Sequence, residues 1–279
     1  VRVSVGDVEL FVHEKGKGRA LVALHGGPGL DGSFWFPGLD PLAGEGWRIL
    51  APDLRANGRS QAGDPALWTV PQMADDVEAL IEELELERPV LVGWSFGSFV
   101  AQSHMARHGS AAAYVLMGTI AEPSALDLVD EQLARFEPER LRERVRSSWA
   151  REATVTTAEE CKQILDDQMP FHLADPEGPL AAELIARDRT VHQPAVLRHF
   201  AGGGDYGMVD QRATLGSLTK PVLILIGAHD RTTSPRSAHE LAELLPNAEE
   251  VVLPQTAHMV PYEEPGLFLA ALRTFLARV

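Results

Sequence analysis

Gly93-Trp94-Ser95-Phe96-Gly97 is the stretch on which the reading of this chain turns. Residues 89–92 before it form a short apolar run with Val-Leu-Val at its end, and residues 98–103 after it continue with helical spacing. A serine between a strand and a helix, with glycine two residues away on each side, reads as a turn too tight for side chains at 93 and 97. Such a turn lifts the Ser95 hydroxyl clear of the sheet, and the new helix aims its N-terminal N–H groups at the same spot. Because G-x-S-x-G arises by chance in roughly one chain of this length in ten, its meaning depends on its surroundings.

Working outward, the N-terminal residues 1–5 and 8–14 alternate apolar and polar around Gly6-Asp7, a hairpin signal. Strands are expected at 20–24, 47–51, 89–93 and 113–117, and Pro71 opens a helix with Met73, Val77, Leu80, Ile81 and Leu84 on one face. From 122 to 212 strand signals vanish. Amphipathic segments at 124–135, 138–149, 157–168 and 178–188 follow one another between prolines, and Gly202-Gly203-Gly204 closes the stretch. Alternation then resumes with strand 221–227, helix 235–245, strand 249–253 and a helix at 264–278. Strands alternating with helices predict an α/β fold, a mostly parallel sheet with helices on both faces and an antiparallel hairpin at its edge. The expected division is a core of residues 1–121 and 213–279 with an inserted helical cap at 122–212.

Composition narrows the function. The 279 residues are 45% hydrophobic and 23% charged, as in an ordinary globular protein. A net charge of −15 argues against a nucleic-acid partner, whose phosphates need a basic surface. Cys161 is the one cysteine, so no intramolecular disulfide can form. No stretch approaches the roughly 18 apolar residues of a membrane span, and a cytoplasmic setting without membrane contact is expected.

A serine hydroxyl is a poor nucleophile at neutral pH. It needs a base within hydrogen-bond reach, and the base needs a third group to fix its tautomer. Asp230 and His258 each stand three to five residues past the end of a late strand, which puts them at the sheet edge that carries Ser95. A lone Asp or His in a loop is usually a solvated surface group; two of the right type after successive strands, downstream of such a turn, are not. Glu122, beyond strand 113–117, is the alternative acid. The oxyanion of a tetrahedral intermediate needs preorganised donors. The Phe96 N–H is one, and the second falls in the loop after strand 20–24, at Gly27 with Gly26 as the alternative. That loop lacks Lys-Ser/Thr and G-x-G-x-x-G, which argues against a nucleotide. No metal or organic cofactor is required by this chemistry.

Over essentially its full length the chain resembles an α/β-hydrolase with a cap after the sixth strand, and Ser, Asp and His follow in that superfamily's order. Within it, His25-Gly26-Gly27-Pro28-Gly29 resembles the oxyanion loop of the proline iminopeptidase group. The resemblance implies removal of an N-terminal residue, typically proline, from a small peptide. The turn at 93–97 and the 52–60 segment resemble general hydrolases at least as much, since the peptidase group carries Gly-Gly-Ser-Trp-Gly. The alternative is therefore a carboxylesterase or lactonase acting on a small ester. An aminopeptidase must hold its substrate's free ammonium, and the resemblance implies cap carboxylates for this, with Asp166, Asp167, Glu183, Asp188 and Asp205 as the candidates. Phe34, Trp35, Trp94 and Phe171 are the candidate apolar pocket wall, against a competing role in the core. His104 and His108 have metal-ligand spacing without a third ligand, and Cys161 has no partner pattern.

Overall fold

The computed structural model describes residues 1–36, 38–203 and 210–279. Eight strands, β1 (Arg2–Val5), β2 (Val8–Gly16), β3 (Arg19–Leu24), β4 (Trp47–Pro52), β5 (Val90–Trp94), β6 (Ala113–Met117), β7 (Val222–Gly227) and β8 (Ala248–Leu253), form one sheet. Their order is β1-β2-β4-β3-β5-β6-β7-β8. The β1–β2 hairpin and the β2–β4 pairing are antiparallel, and every pairing from β4 to β8 is parallel. The expected α/β architecture with an antiparallel edge is what the chain adopts.

The helices are α1 (Asp40–Ala43), α2 (Val70–Glu83), α3 (Phe96–Arg107), α4 (Leu128–Ala134), α5 (Glu139–Glu152) and α6 (Ala158–Gln168). They continue as α7 (Pro179–Arg187), α8 (Pro194–Gly203), α9 (Arg212–Leu215), α10 (Pro235–Leu244), α11 (Val260–Glu263) and α12 (Pro265–Leu276). The sheet is covered on both faces, which is why its central strands read as continuous apolar runs rather than alternating ones. Along β5, Leu91 joins the core beneath α2 and α3, with Met73, Val77 and Leu80. Val90 and Val92 join the opposite core, with Phe268, Leu272 and Phe275 of α12. The outermost strand β8 carries Glu249 and Glu250 exposed, charges that oppose edge-to-edge pairing with another chain.

Between β6 and β7 the described residues contain no strand. The segment expected as one helix at 124–135 is split into a 3₁₀ turn at Pro123–Asp127 and α4. Thr157 and Glu160 start α6 with a reciprocal capping box. Helix α8 is absent from the amphipathic segments expected between 122 and 212, and it runs into the glycines at 202–203 that close that stretch. It forms because Val196, Leu197 and Phe200 bury on one face, and the Phe200 ring meets Phe96 edge-on at 4.9 Å. Among the described residues no helix is long and apolar enough to cross a membrane.

Candidate active site

Ser95 sits between β5 and α3 with φ 52° and ψ −121°, a backbone region that a side chain populates only when its surroundings enforce it. Those surroundings are the Ser95 N–H donating to the Met117 carbonyl of β6 at 2.9 Å and the Ser98 hydroxyl donating to the Ser95 carbonyl at 2.6 Å. A Cβ on Gly93 would lie 2.5 Å from the Gly97 carbonyl oxygen, and one on Gly97 would lie 2.2 Å from that of Leu24. Both glycines are therefore obligatory, as the sequence pattern implied. Ser95 lines a cavity of about 770 Å³. Phe96 is the first residue of α3, so its N–H has no partner within the helix; its side chain is buried in the core.

Asp230 follows β7, and His258 lies in the loop after β8. His258 Nδ1 donates to Asp230 Oδ2 at 2.8 Å, which leaves Nε2 as the ring nitrogen outside that bond. Asp230 Oδ1 accepts from the N–H groups of Thr232 at 2.8 Å and Thr233 at 3.0 Å. Its Oδ2 also accepts from the Thr233 hydroxyl at 2.8 Å. Burial alone would raise the Asp230 pKa, but the His258 charge and the hydrogen bonds from His258 and Thr233 outweigh it and hold the carboxyl at about 2. His258 shares the cavity wall with Ser95. Gly118, just past β6, makes room for its ring: a Cβ there would be 2.7 Å from His258 Cε1, at φ +52°.

The glycine loop is built around a neutral imidazole. His25 Nε2 accepts from the Leu54 N–H at 3.0 Å, so Nδ1 carries the proton and donates to the Gly26 carbonyl at 2.7 Å. Burial pushes the His25 pKa down and so favours the neutral ring, and the two hydrogen bonds fix its tautomer. Gly26 lies under Trp94, where a Cβ would come 2.3 Å from the indole, and the indole in turn stacks on Phe34 at 4.0 Å. Trp94 Nε1 donates to the His258 carbonyl at 2.8 Å. Gly27 reaches the cavity wall and Gly26 does not. The loop is also fastened to the segment ahead of α8. The Gln193 N–H donates to the Gly29 carbonyl at 2.9 Å, the Gln193 side chain to the Gly58 carbonyl at 2.6 Å, and the Val191 N–H to Asp31 at 2.8 Å.

Of the expected apolar wall, Phe34 and Trp94 line the cavity, whereas Trp35 and Phe171 do not. Trp35 follows Phe34 on a 3₁₀ turn, where successive side chains diverge by about 120°, and it is fully buried in the core that includes Leu39 and Leu42. Phe171 lies on another 3₁₀ turn, Met169–His172. There Met169 and His172, three apart and so eclipsed, take the cavity side. Phe171 turns away and meets Phe136 and Trp149 edge-on, each at 5.1 Å. His172 carries no sequence signal. Its ring lies 5.2 Å from that of His258, and burial with the adjacent His258 charge pushes its pKa down to about 3.

Asp166 and Asp188 reach the cavity, yet Lys162 lies 2.8 Å from the first and 3.6 Å from the second, and His192 is 2.9 Å from Asp188. Asp167 instead pairs with Arg144 at 2.7 Å and Arg151 at 2.5 Å, and Glu183 with Arg187 at 3.7 Å. Asp205 lies outside the described residues. Glu122, the alternative acid, pairs with Arg212 at 3.2 Å. His104 and His108 bind different carboxylates, Glu78 and Asp75, each at 2.8 Å. Burial pushes the Cys161 thiol up to about 12, which leaves it unreactive. His13, Asp31 and Asp53 offer ligand atoms within 4.8 Å of one another. Both carboxylates already accept from Ser33, Gly32, Val191 and Arg59, so the group is a loop brace.

Known proteins agree with this architecture. The chain is 28% identical over 269 residues to the AB hydrolase superfamily protein YisY of Bacillus subtilis, spanning 92% of this chain and 91% of that one. It is 24% identical over 269 residues to a proline iminopeptidase of Clostridium botulinum, spanning 94% of this chain and 90% of that one. Among solved structures, a thermophilic esterase from Thermogutta terrifontis is similar at a TM-score of 0.76 and 25% identity, covering 100% of this chain and 98% of its own. With the family model for the alpha/beta hydrolase fold matching residues 19–265, the chain belongs to that family.

Proposed function

We propose that the chain is a serine hydrolase acting through an acyl-enzyme. What carries this reading is Ser95 held at positive φ on a helix N-terminus, in one cavity with a histidine whose Nδ1 proton is committed to a buried, ionised Asp230. Ser95 Oγ attacks a carbonyl carbon while His258 Nε2 takes its proton. The Phe96 and Gly27 N–H groups receive the oxyanion, and His258 returns the proton to the leaving group. Water then releases the acid with the same histidine as base. In this reading residues 122–212 form a cap that closes the cavity. Gly118→Ala, which drives a methyl group into the His258 ring, is expected to lower kcat/KM about 100-fold with the far-ultraviolet circular dichroism unchanged.

For the substrate, the observations favour a small, largely apolar ester or lactone. Leu30, Phe34, Trp94, Leu126, Met169 and Ile185 contribute apolar wall. Of the four carboxylates on the wall among the described residues, Asp130, Glu152, Asp166 and Asp188, Asp166 and Asp188 share Lys162, Asp188 is also bonded to His192, and Glu152 accepts from Gln168. The His25–Gly29 loop and the proline iminopeptidases among similar proteins favour a second reading, a proline iminopeptidase-like aminopeptidase. Short-chain nitrophenyl esters compared with prolyl and alanyl arylamides separate the two. Ester kcat/KM is expected to exceed arylamide kcat/KM by ~100-fold or more, and the reverse order would make the chain an aminopeptidase.

A further inference from the structure

The loops that carry Asp230 and His258 are both fastened to one stretch of the helical segment, residues 171–174. The His258 N–H donates to the His172 carbonyl at 3.0 Å. The His172 ring nitrogen Nδ1 bonds the Thr232 hydroxyl at 2.9 Å, and Arg231 donates to the Leu173 carbonyl at 2.8 Å. Glu263 joins these ties. Its Oε1 accepts from the N–H groups of Ala257 at 2.8 Å and Met259 at 3.1 Å, the residues on either side of His258. Its Oε2 accepts from the Ala174 N–H at 2.7 Å. One carboxylate therefore grips both flanks of His258 and the stretch that follows the cavity-lining His172.

Capping of α11 accounts for the bond from Met259, which precedes that helix. It does not account for Ala257, which is outside the helix, nor for Ala174, which belongs to another part of the chain. We propose that Glu263 is a positioning residue for His258, coupling the placement of residues 171–174 to that of the base. The proposal rests on the reading of His258 as the base.

Glu263→Gln and Glu263→Ala test it. The amide keeps an oxygen for the two N–H groups beside His258 but sets an NH₂ against the Ala174 N–H, and the alanine removes all three bonds. For a nitrophenyl ester, kcat per active site titrated with a fluorophosphonate is expected to fall about tenfold in Glu263→Gln and about 100-fold in Glu263→Ala. KM should stay within about twofold, and labelling of Ser95 should slow in parallel with kcat. Should the alanine variant fail to fold, the glutamine variant carries the test. A lowered melting temperature with kcat per titrated site unchanged would reduce Glu263 to a structural cap and overturn the proposal, as would a raised KM at constant kcat. His258→Ala run alongside separates the two levels. Near wild-type turnover by His258→Ala overturns the base assignment and this proposal with it. An inactive His258→Ala beside fully active Glu263 variants overturns the proposal alone.

Discussion

Ser95→Ala is expected to lower kcat by about 10⁶-fold with KM nearly unchanged. The change removes one oxygen and nothing that holds the turn. The Ser95 N–H bond to Met117 and the Ser98 bond to the Ser95 carbonyl involve backbone atoms of residue 95, and alanine tolerates φ 52° no worse than serine. The melting temperature should therefore stay within about 2 °C of wild type, since surface-type changes move stability by at most ~0.5 kcal/mol. Residual turnover above water is expected from the Phe96 and Gly27 N–H groups, the proposed oxyanion donors, which remain. Steady-state kinetics on a nitrophenyl ester read the loss, and a variant within tenfold of wild type would show that another group is the nucleophile.

Asp230→Asn is expected to cost about 10⁴-fold in kcat, through the position of a proton. In the native site Oδ1 is occupied by the Thr232 and Thr233 N–H groups and Oδ2 faces His258 Nδ1. Asparagine keeps its oxygen toward the two threonine N–H donors, which leaves its NH₂ opposite the imidazole. That NH₂ can only donate, so the ring must place its own proton on Nε2, the atom proposed to act as base. Because, against burial, the His258 charge and the hydrogen bonds hold Asp230 at about 2, the carboxylate is ionised throughout the neutral range, and its own protonation adds nothing to the pH dependence of the loss between pH 6 and pH 8. Nitrogen NMR of the His258 ring reads the tautomer directly. Loss of less than tenfold, or a ring still protonated on Nδ1, would contradict the argument.

What could be read from the sequence is what local sterics and strand order determine. Residues 93 and 97 must be glycine because backbone oxygens stand where their Cβ atoms would be, and that demand leaves a trace in the sequence. The central strands show as apolar runs because both of their faces are buried. Asp230 and His258 could be assigned to the Ser95 edge because each follows a strand whose direction parallel pairing fixes. What could not be read depends on partners distant in the chain. Gly118 looks like any turn glycine until the His258 ring is set against it. Phe34 and Trp35 are equally apolar, and the pitch of a 3₁₀ turn alone decides which faces the cavity. The same pitch sends Phe171 inward and brings out His172. Helix α8 is recognisable by its contact with Phe96, not by its composition.

The two fastenings of the helical segment, residues 171–174 on the loops that carry Asp230 and His258 and residues 191–193 on the loop that carries Gly29 and Asp31, bracket α7. No residue of α7 is buried, although Leu184 and Ile185 face the cavity. Leu180, Ala181 and Leu184 of α7 pack against the core while only partly buried, so side chains of the bracketed stretch should be exchangeable at a smaller cost to folding than those of a fully buried helix. In the hydrolase reading, substrate range can then change here while the ties on either side hold the loops of Asp230, His258 and Gly27 in place.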